Sequence, residues 1–207
     1  YDVLHTDVLP QTPGCPGITA TSAIRKTVID FCRRSRIWRV TLDVDLTTTA
    51  ISDYEMALPD GTNYVEVISG TYDKYPLEAK TIEQLDKAIA KWRTTAGTPK
   101  YITATNSTTV VLVPVPSEGG KELSIRVAVK PTPASTGFDT TLYDDWYEVI
   151  AYVALGRLLA MPQQVWTKQV NAAYYSGLFE AGILDALRKG QSSNMGRVPG
   201  CVAYGCI

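Results

Sequence analysis

The stretch Leu9–Trp38, LPQTPGCPGITATSAIRKTVIDFCRRSRIW, sets the frame for the rest of the chain. Pro13 and Pro16 fix φ and end any earlier regular structure, and Thr19, Thr21 and Ser22 offer side-chain oxygens for a helix N-cap. Beyond them the spacing is helical. At about 100° per residue, Ile24, Val28, Phe31, Ser35 and Trp38 share one narrow arc, with Cys32 on its shoulder. Arg25, Lys26, Arg33 and Arg36 fall on roughly the opposite side. A helix of about twenty residues is roughly 30 Å long, and burying Phe31 and Trp38 stabilises it by about 25 cal/mol per Å² of apolar surface. The basic arc has two readings: a solvated helix face, or contact with an acidic partner surface or a nucleic-acid backbone.

After Trp38 the period changes from that of a helix to that of a strand. Val40, Leu42, Val44 and Leu46 alternate with polar residues, and Ile51–Leu58 reads as a second strand closed by the turn Pro59-Asp60-Gly61. Tyr64–Tyr72 is a third, with Gly70 a position for a bulge. One helix, Thr81–Trp92, interrupts the series: Thr81 caps it, and Ile82, Leu85, Ile89 and Trp92 line one face. Tyr101–Thr105, Val110–Val115 and Leu123–Lys130 follow as strands, separated by turns at Asn106-Ser107 and Glu118-Gly119-Gly120. The signals together predict an antiparallel sandwich or small barrel.

Helices return after the linker Pro131–Gly137. Asp139 or Thr140 can cap a helix over Leu142–Met161, which Pro162 ends, and Asp144, Asp145 and Glu148 sit near its positive end. Trp146, Val149, Val153, Gly156 and Ala160 form its stripe, and Leu155, Leu158 and Leu159 predict deep burial of its second half. The last helix, Thr167–Lys189, is apolar on two faces. Val170, Tyr174, Gly177, Leu178, Ala181 and Leu184 form one stripe; Tyr175, Phe179, Ile183 and Ala186 form another nearly opposite. Such a helix is sandwiched between two layers, either inside the protein or with one layer supplied by another subunit. From Gly190 onward the periodicity is lost, although Val202, Tyr204 and Ile207 make the end apolar.

The expected fold class is therefore α+β: a helical bundle built from the N-terminal helix and two C-terminal helices, an inserted antiparallel β-sandwich or barrel module, and an extended C-terminal tail. In residue numbers, 1–38 and 139–190 make the helical body, and 39–130 the β module with a short helix at 81–92. Residues 131–138 are a linker and 191–207 the tail.

Composition narrows the function. The chain has 207 residues, 45% of them hydrophobic and 20% charged, ordinary values for a folded domain. A formal net charge of −1 argues against a dedicated nucleic-acid binder. No apolar run approaches the roughly 18 residues of a membrane span, no signal peptide is visible, and Tyr1 is not a natural start. The single histidine, His5, lies in a segment expected to be extended and excludes His-based triads and multi-His metal sites. The four cysteines are expected to be reduced thiols, with Cys201 and Cys206 only a weak zinc signal. No phosphate-binding glycine loop, repeat or metal-ligand cluster is present in the sequence. Neither a cofactor nor enzymatic activity is expected.

The order of several local strings resembles that in the head-to-tail adaptor (connector, or neck) proteins of tailed bacteriophages. They are Val8-Leu9-Pro10, Pro13-Gly14-Cys15-Pro16, Ala23-Ile24-Arg25, Ile29–Ser35 and Trp38-Arg39. Leu58–Gly61, Trp92 before Gly97–Tyr101, Val129-Lys130-Pro131, the Tyr147–Met161 helix with Trp166, and Phe179 with Gly182-Ile183 complete the series. The resemblance implies a virion structural protein at the neck: a homo-oligomeric ring of about twelve copies, docked on the portal protein. It would extend the channel for packaged double-stranded DNA without binding it specifically, and carry tail tube, nozzle or neck proteins. Through the same resemblance the C-terminal tail, with Arg197, Val198, Val202, Tyr204 and Ile207, is expected to contact the portal.

A ring needs mutually complementary sides. The basic residues Arg25, Lys26, Arg33 and Arg36 are expected to meet Asp144, Asp145 and Glu148 of a neighbouring subunit, and Tyr175, Phe179 and Ile183 to add apolar contact there. Two other readings stay open: a nucleic-acid-binding module using the basic helix, and a glycan-binding module on the β insert with Tyr72, Tyr75 and Tyr101 as sugar platforms.

Overall fold

The computed structural model describes residues 1–44 and 46–191. Its N-terminus is helical rather than extended. A 3-10 turn (Asp2–Leu4), the short helix α1 (His5–Val8) and a second 3-10 turn (Leu9–Gln11) fold back on the body. Leu4 and Val8 are fully buried there, and that burial offsets the cost of ordering the segment. His5 Nε2 lies 2.9 Å from the Thr21 hydroxyl and serves as a packing residue.

The long helix α2 (Gly17–Ser35) begins immediately after Pro16, ahead of the threonines expected to cap it. Extended backbone at Pro16 turns its carbonyl toward the amides of Thr19 and Ala20. The Thr21 hydroxyl instead donates to the Gly17 carbonyl, one turn back. Arg36, in the left-handed region at φ 53°, ends the helix. The apolar stripe is inside: Ile24, Val28, Phe31 and Cys32 are all fully buried. Burial, and then the charge of Asp139, push the Cys32 thiol far above its ordinary range, so this cysteine is a small hydrophobe.

Among the described residues nine strands follow: β1 (Arg39–Val44), β2 (Asp53–Glu55), β3 (Thr62–Tyr72), β4 (Tyr75–Ala79), β5 (Ala96–Gly97), β6 (Tyr101–Ala104), β7 (Thr109–Val113), β8 (Val115–Pro116) and β9 (Leu123–Pro131). Seven of them form one curled sheet, a half-barrel, in the order β1-β9-β3-β4-β6-β7-β2; β5 and β8 pair separately. The sheet is antiparallel except at β4–β6. There the crossover carries α3 (Ile82–Ala88), held by a capping box between Thr81 and Gln84. α3 is shorter than its apolar pattern implies, although Trp92 still folds under it and donates from Nε1 to Asp86 at 2.7 Å. The second strand is likewise cut to three residues, Asp53–Glu55, with Ala50 in the left-handed region three residues before it.

Gly70 sits in regular pairing with Leu77 and Ile125 rather than in a bulge. A Cβ there would meet Leu77 and Ile102 side chains at 3.3 and 3.4 Å, so the glycine serves close packing. The irregularities of β3 fall earlier, between Tyr64 and Glu66 and between Val67 and Ser69.

Helices α4 (Thr140–Leu159) and α5 (Gln169–Gln191) complete the molecule. Asp139 caps α4 by accepting from the Thr141 amide at 2.9 Å. With α1 and α2 these helices enclose one core, in which the Phe31 ring lies 5.5 Å from Trp146 and 6.3 Å from Phe179. A second core fills the half-barrel, a third lies under α3, and Trp38 packs against the first two.

A candidate assembly surface on the last helix

Two stripes run along α5, and the structure buries only one. Phe179, Ile183 and Ala186 are between 0 and 5% exposed and pack on α2 and α4. Tyr175 lies at the rim, stacked on Tyr152 and donating to the Gln11 side chain. This inner face is crowded. A Cβ on Gly182 would come within 2.4 Å of Val149 Cγ1, and one on Gly156 would meet Ser176 Oγ at 3.4 Å. The outer stripe is open to solvent: Val170 is 84% exposed, Tyr174 65% and Leu184 55%, and nothing lies within 4 Å of a Cβ built on Gly177. Isolated exposed apolar residues are ordinary on a protein surface. A row of them along one helix, opposite a fully buried row, is an unpaired packing face.

Phe179 and Ile183 therefore belong to the protomer's own interior, and the outward layer of α5 is the other stripe. Either stripe is apolar enough to be buried. Both stripes also carry small residues, Gly177 and Ala181 on the outer face and Gly182 and Ala186 on the inner, and only at Gly182 does a neighbouring helix crowd the backbone.

Much of the basic arc is held inside the protomer. Arg25 donates to the Pro133 carbonyl at 3.2 Å and lies over the Tyr1 ring. Arg33 pairs with Asp30 at 2.7 Å, and Arg36 with Glu66 of β3 at 2.8 Å. Lys26 alone of the four has no hydrogen-bond or ion-pair partner among the described residues, and it is exposed. Among the acids, Asp145 pairs with Lys189 at 2.7 Å, Glu148 accepts from Tyr147, and Asp144 is exposed. Two clasps were not legible in the sequence, because each joins residues more than a hundred positions apart. Arg34 grips Glu180 with both guanidinium nitrogens at 2.8 and 2.5 Å, and Arg157 reaches Asp30 at 3.2 Å. The Arg34 guanidinium holds the Glu180 carboxyl below its usual range.

Another arginine joins three elements. Arg39 of β1 donates from Nη1 to the Gly190 carbonyl at 2.7 Å and from Nε to the Arg36 carbonyl at 3.0 Å. It thus ties the C-terminal ends of α5 and α2 to the sheet. The portal contacts expected of Arg197, Val198, Val202, Tyr204 and Ile207 lie outside the described residues.

The three tyrosines considered as sugar platforms are dispersed in role. Tyr72 is buried and donates to the Glu118 carbonyl, Tyr75 is exposed, and the Lys80 ammonium sits 4.1 Å above the Tyr101 ring. Among the described residues no group of three His, Cys, Asp or Glu side chains is placed to hold a metal ion, and no helix is long and apolar enough to cross a membrane.

The α+β body leaves one apolar stripe of α5 open to solvent. Residues 7–200 match the family model of the SU10 adaptor protein, so the chain belongs to that family, a class of bacteriophage adaptors. No curated protein matches it in sequence.

Proposed function

We propose that the chain is the head-to-tail adaptor of a tailed bacteriophage, working as a ring of about twelve copies on the portal protein at the virion neck. The observation that supports this reading most directly is the exposed outer stripe of α5. A protomer that buries Phe179 and Ile183 inward and leaves Val170, Tyr174 and Leu184 open is built to be completed by a neighbour. The ring extends the channel for double-stranded DNA, which passes without specific binding, and offers its far side to tail tube, nozzle or neck proteins. Residues 192–207, with Arg197, Val198, Val202, Tyr204 and Ile207, reach the portal. The chain needs no cofactor and catalyses no reaction in this role. Arg25, Lys26, Arg33 and Arg36 with Asp144, Asp145 and Glu148 supply charge at the edges of the lateral contact.

The test uses the double variant Tyr174→Ser, Leu184→Ser. Both side chains are exposed, so the protomer should keep its thermal unfolding midpoint. Mass photometry of wild-type protein with portal rings should give portal–adaptor complexes carrying a full set of protomers, and the double variant should leave the portal bare or partly occupied. A wild-type protein that never binds the portal ends the adaptor reading.

A further inference from the structure

The outer stripe of α5 has an electrostatic counterpart elsewhere on the same protomer. Between the start of α2 and the end of α4 runs a groove of about 580 Å³, lined by Ile18, Ala23, Ala160 and Met161, by the hydroxyl residues Thr19 and Ser22, and by Lys26 and Arg157. Ile18 is 83% exposed there. Lys26 has no partner among the described residues, and the Nε of Arg157 is buried without one. A buried N–H left unpaired carries a cost that an incoming carboxylate removes. The groove therefore presents a largely apolar lining, one unpartnered ammonium and an Arg157 guanidinium that Asp30 satisfies only in part.

The α5 stripe offers the matching chemistry. Asp185 shares the stripe, one turn after Ala181 and two turns after Leu178. It is exposed and, unlike Glu180, has no partner among the described residues. An apolar ridge carrying one free carboxylate complements an apolar groove edged by one free ammonium and an undersatisfied guanidinium. A ring is built from two different patches of one chain meeting head to tail, and these two patches are distinct.

We infer that the α2–α4 groove receives the outer stripe of α5 from a second copy of this chain, with Asp185 of one protomer set against Lys26 and Arg157 of the next. The inference rests on the ring reading and assigns its lateral contact. It moves Lys26 away from the acids of α4: of those, Asp145 is already taken by Lys189.

The test is charge reversal in the full-length protein, read by sedimentation across a concentration series at low ionic strength, without and with portal rings. Asp185→Lys alone sets lysine against lysine, and Lys26→Asp alone sets aspartate against aspartate. Each should raise the concentration of half-assembly by roughly tenfold or more. An equimolar mixture of the two variants should assemble like wild type, because each variant's ridge then meets the other's groove. Glu55→Lys, at an exposed position of the edge strand β2, should have little effect. If both single variants assemble normally, or the mixture stays unassembled, this contact is wrong while the ring reading stands. If wild type itself never associates under either condition, both fall.

Discussion

At the scale of single residues, the ion pairs of the helical body differ in what they report. Glu180 is held by Arg34 on an exposed surface, where such pairs contribute modestly. Its carboxyl is depressed below the ordinary range by hydrogen bonding to that guanidinium. A carboxyl with a lowered folded pKa adds stability above its unfolded value of about 4.3 and loses it as the pH falls through the folded value. Glu180→Gln should therefore lower stability slightly at neutral pH and remove the small component that wild type loses as the pH falls below about 4.3, so that the two curves converge in acid. An identical acid limb in the two proteins would mean that the pair adds nothing. Reading each charged side chain with its partner also explains why the basic arc of α2 was misleading in isolation. Periodicity identifies which side chains share a face, but not that Pro133 and Glu66 arrive from distant segments to occupy Arg25 and Arg36.

Among the elements, the crossing of α4 and α5 is the tightest joint. Gly182 sits directly against Val149, a β-branched residue with little freedom to rotate away. Gly182→Ala should therefore destabilise the protein by about 1–3 kcal/mol in urea denaturation, and Val149→Ala in that background should recover part of the loss. An unchanged midpoint would show that the helices separate at no cost. How legible each element was followed from its burial. β1, β3 and β9 face a core on one side, and helices α4 and α5 carry long apolar rows, so their periods survive in the sequence. β4 buries only Leu77 among five residues and starts with Tyr-Pro, so it left no alternation to read. Its parallel pairing with β6 depends on register across a crossover and has no local signature. The two stripes of α5 are legible in the sequence, and their sidedness is not, because both carry large apolar and small residues and only the packing of Val149 against Gly182 distinguishes them.

For the whole molecule, the helical body and the half-barrel have separate cores, and Trp38 packs on both. That makes it a joint between two packing units. Trp38→Ala should cost about 2–4 kcal/mol, somewhat below the usual price of a fully buried tryptophan. It should also split urea unfolding into two transitions, followed by far-ultraviolet circular dichroism and by fluorescence of the remaining tryptophans. A single sharp transition would mean that the other contacts of α2 with β9 already bind the units into one cooperative fold.

The Arg39 clasp gives that arrangement a mechanical side. The last helical turn before residue 192 is fastened through the Gly190 carbonyl to a strand and, through the same guanidinium, to the end of α2. A pull on the chain beyond that point loads the Arg39 guanidinium, which divides it between the end of α2 and the edge strand β1. The end of α5 is in this sense an anchorage, and Arg39 is the bolt through which tension leaves the helix.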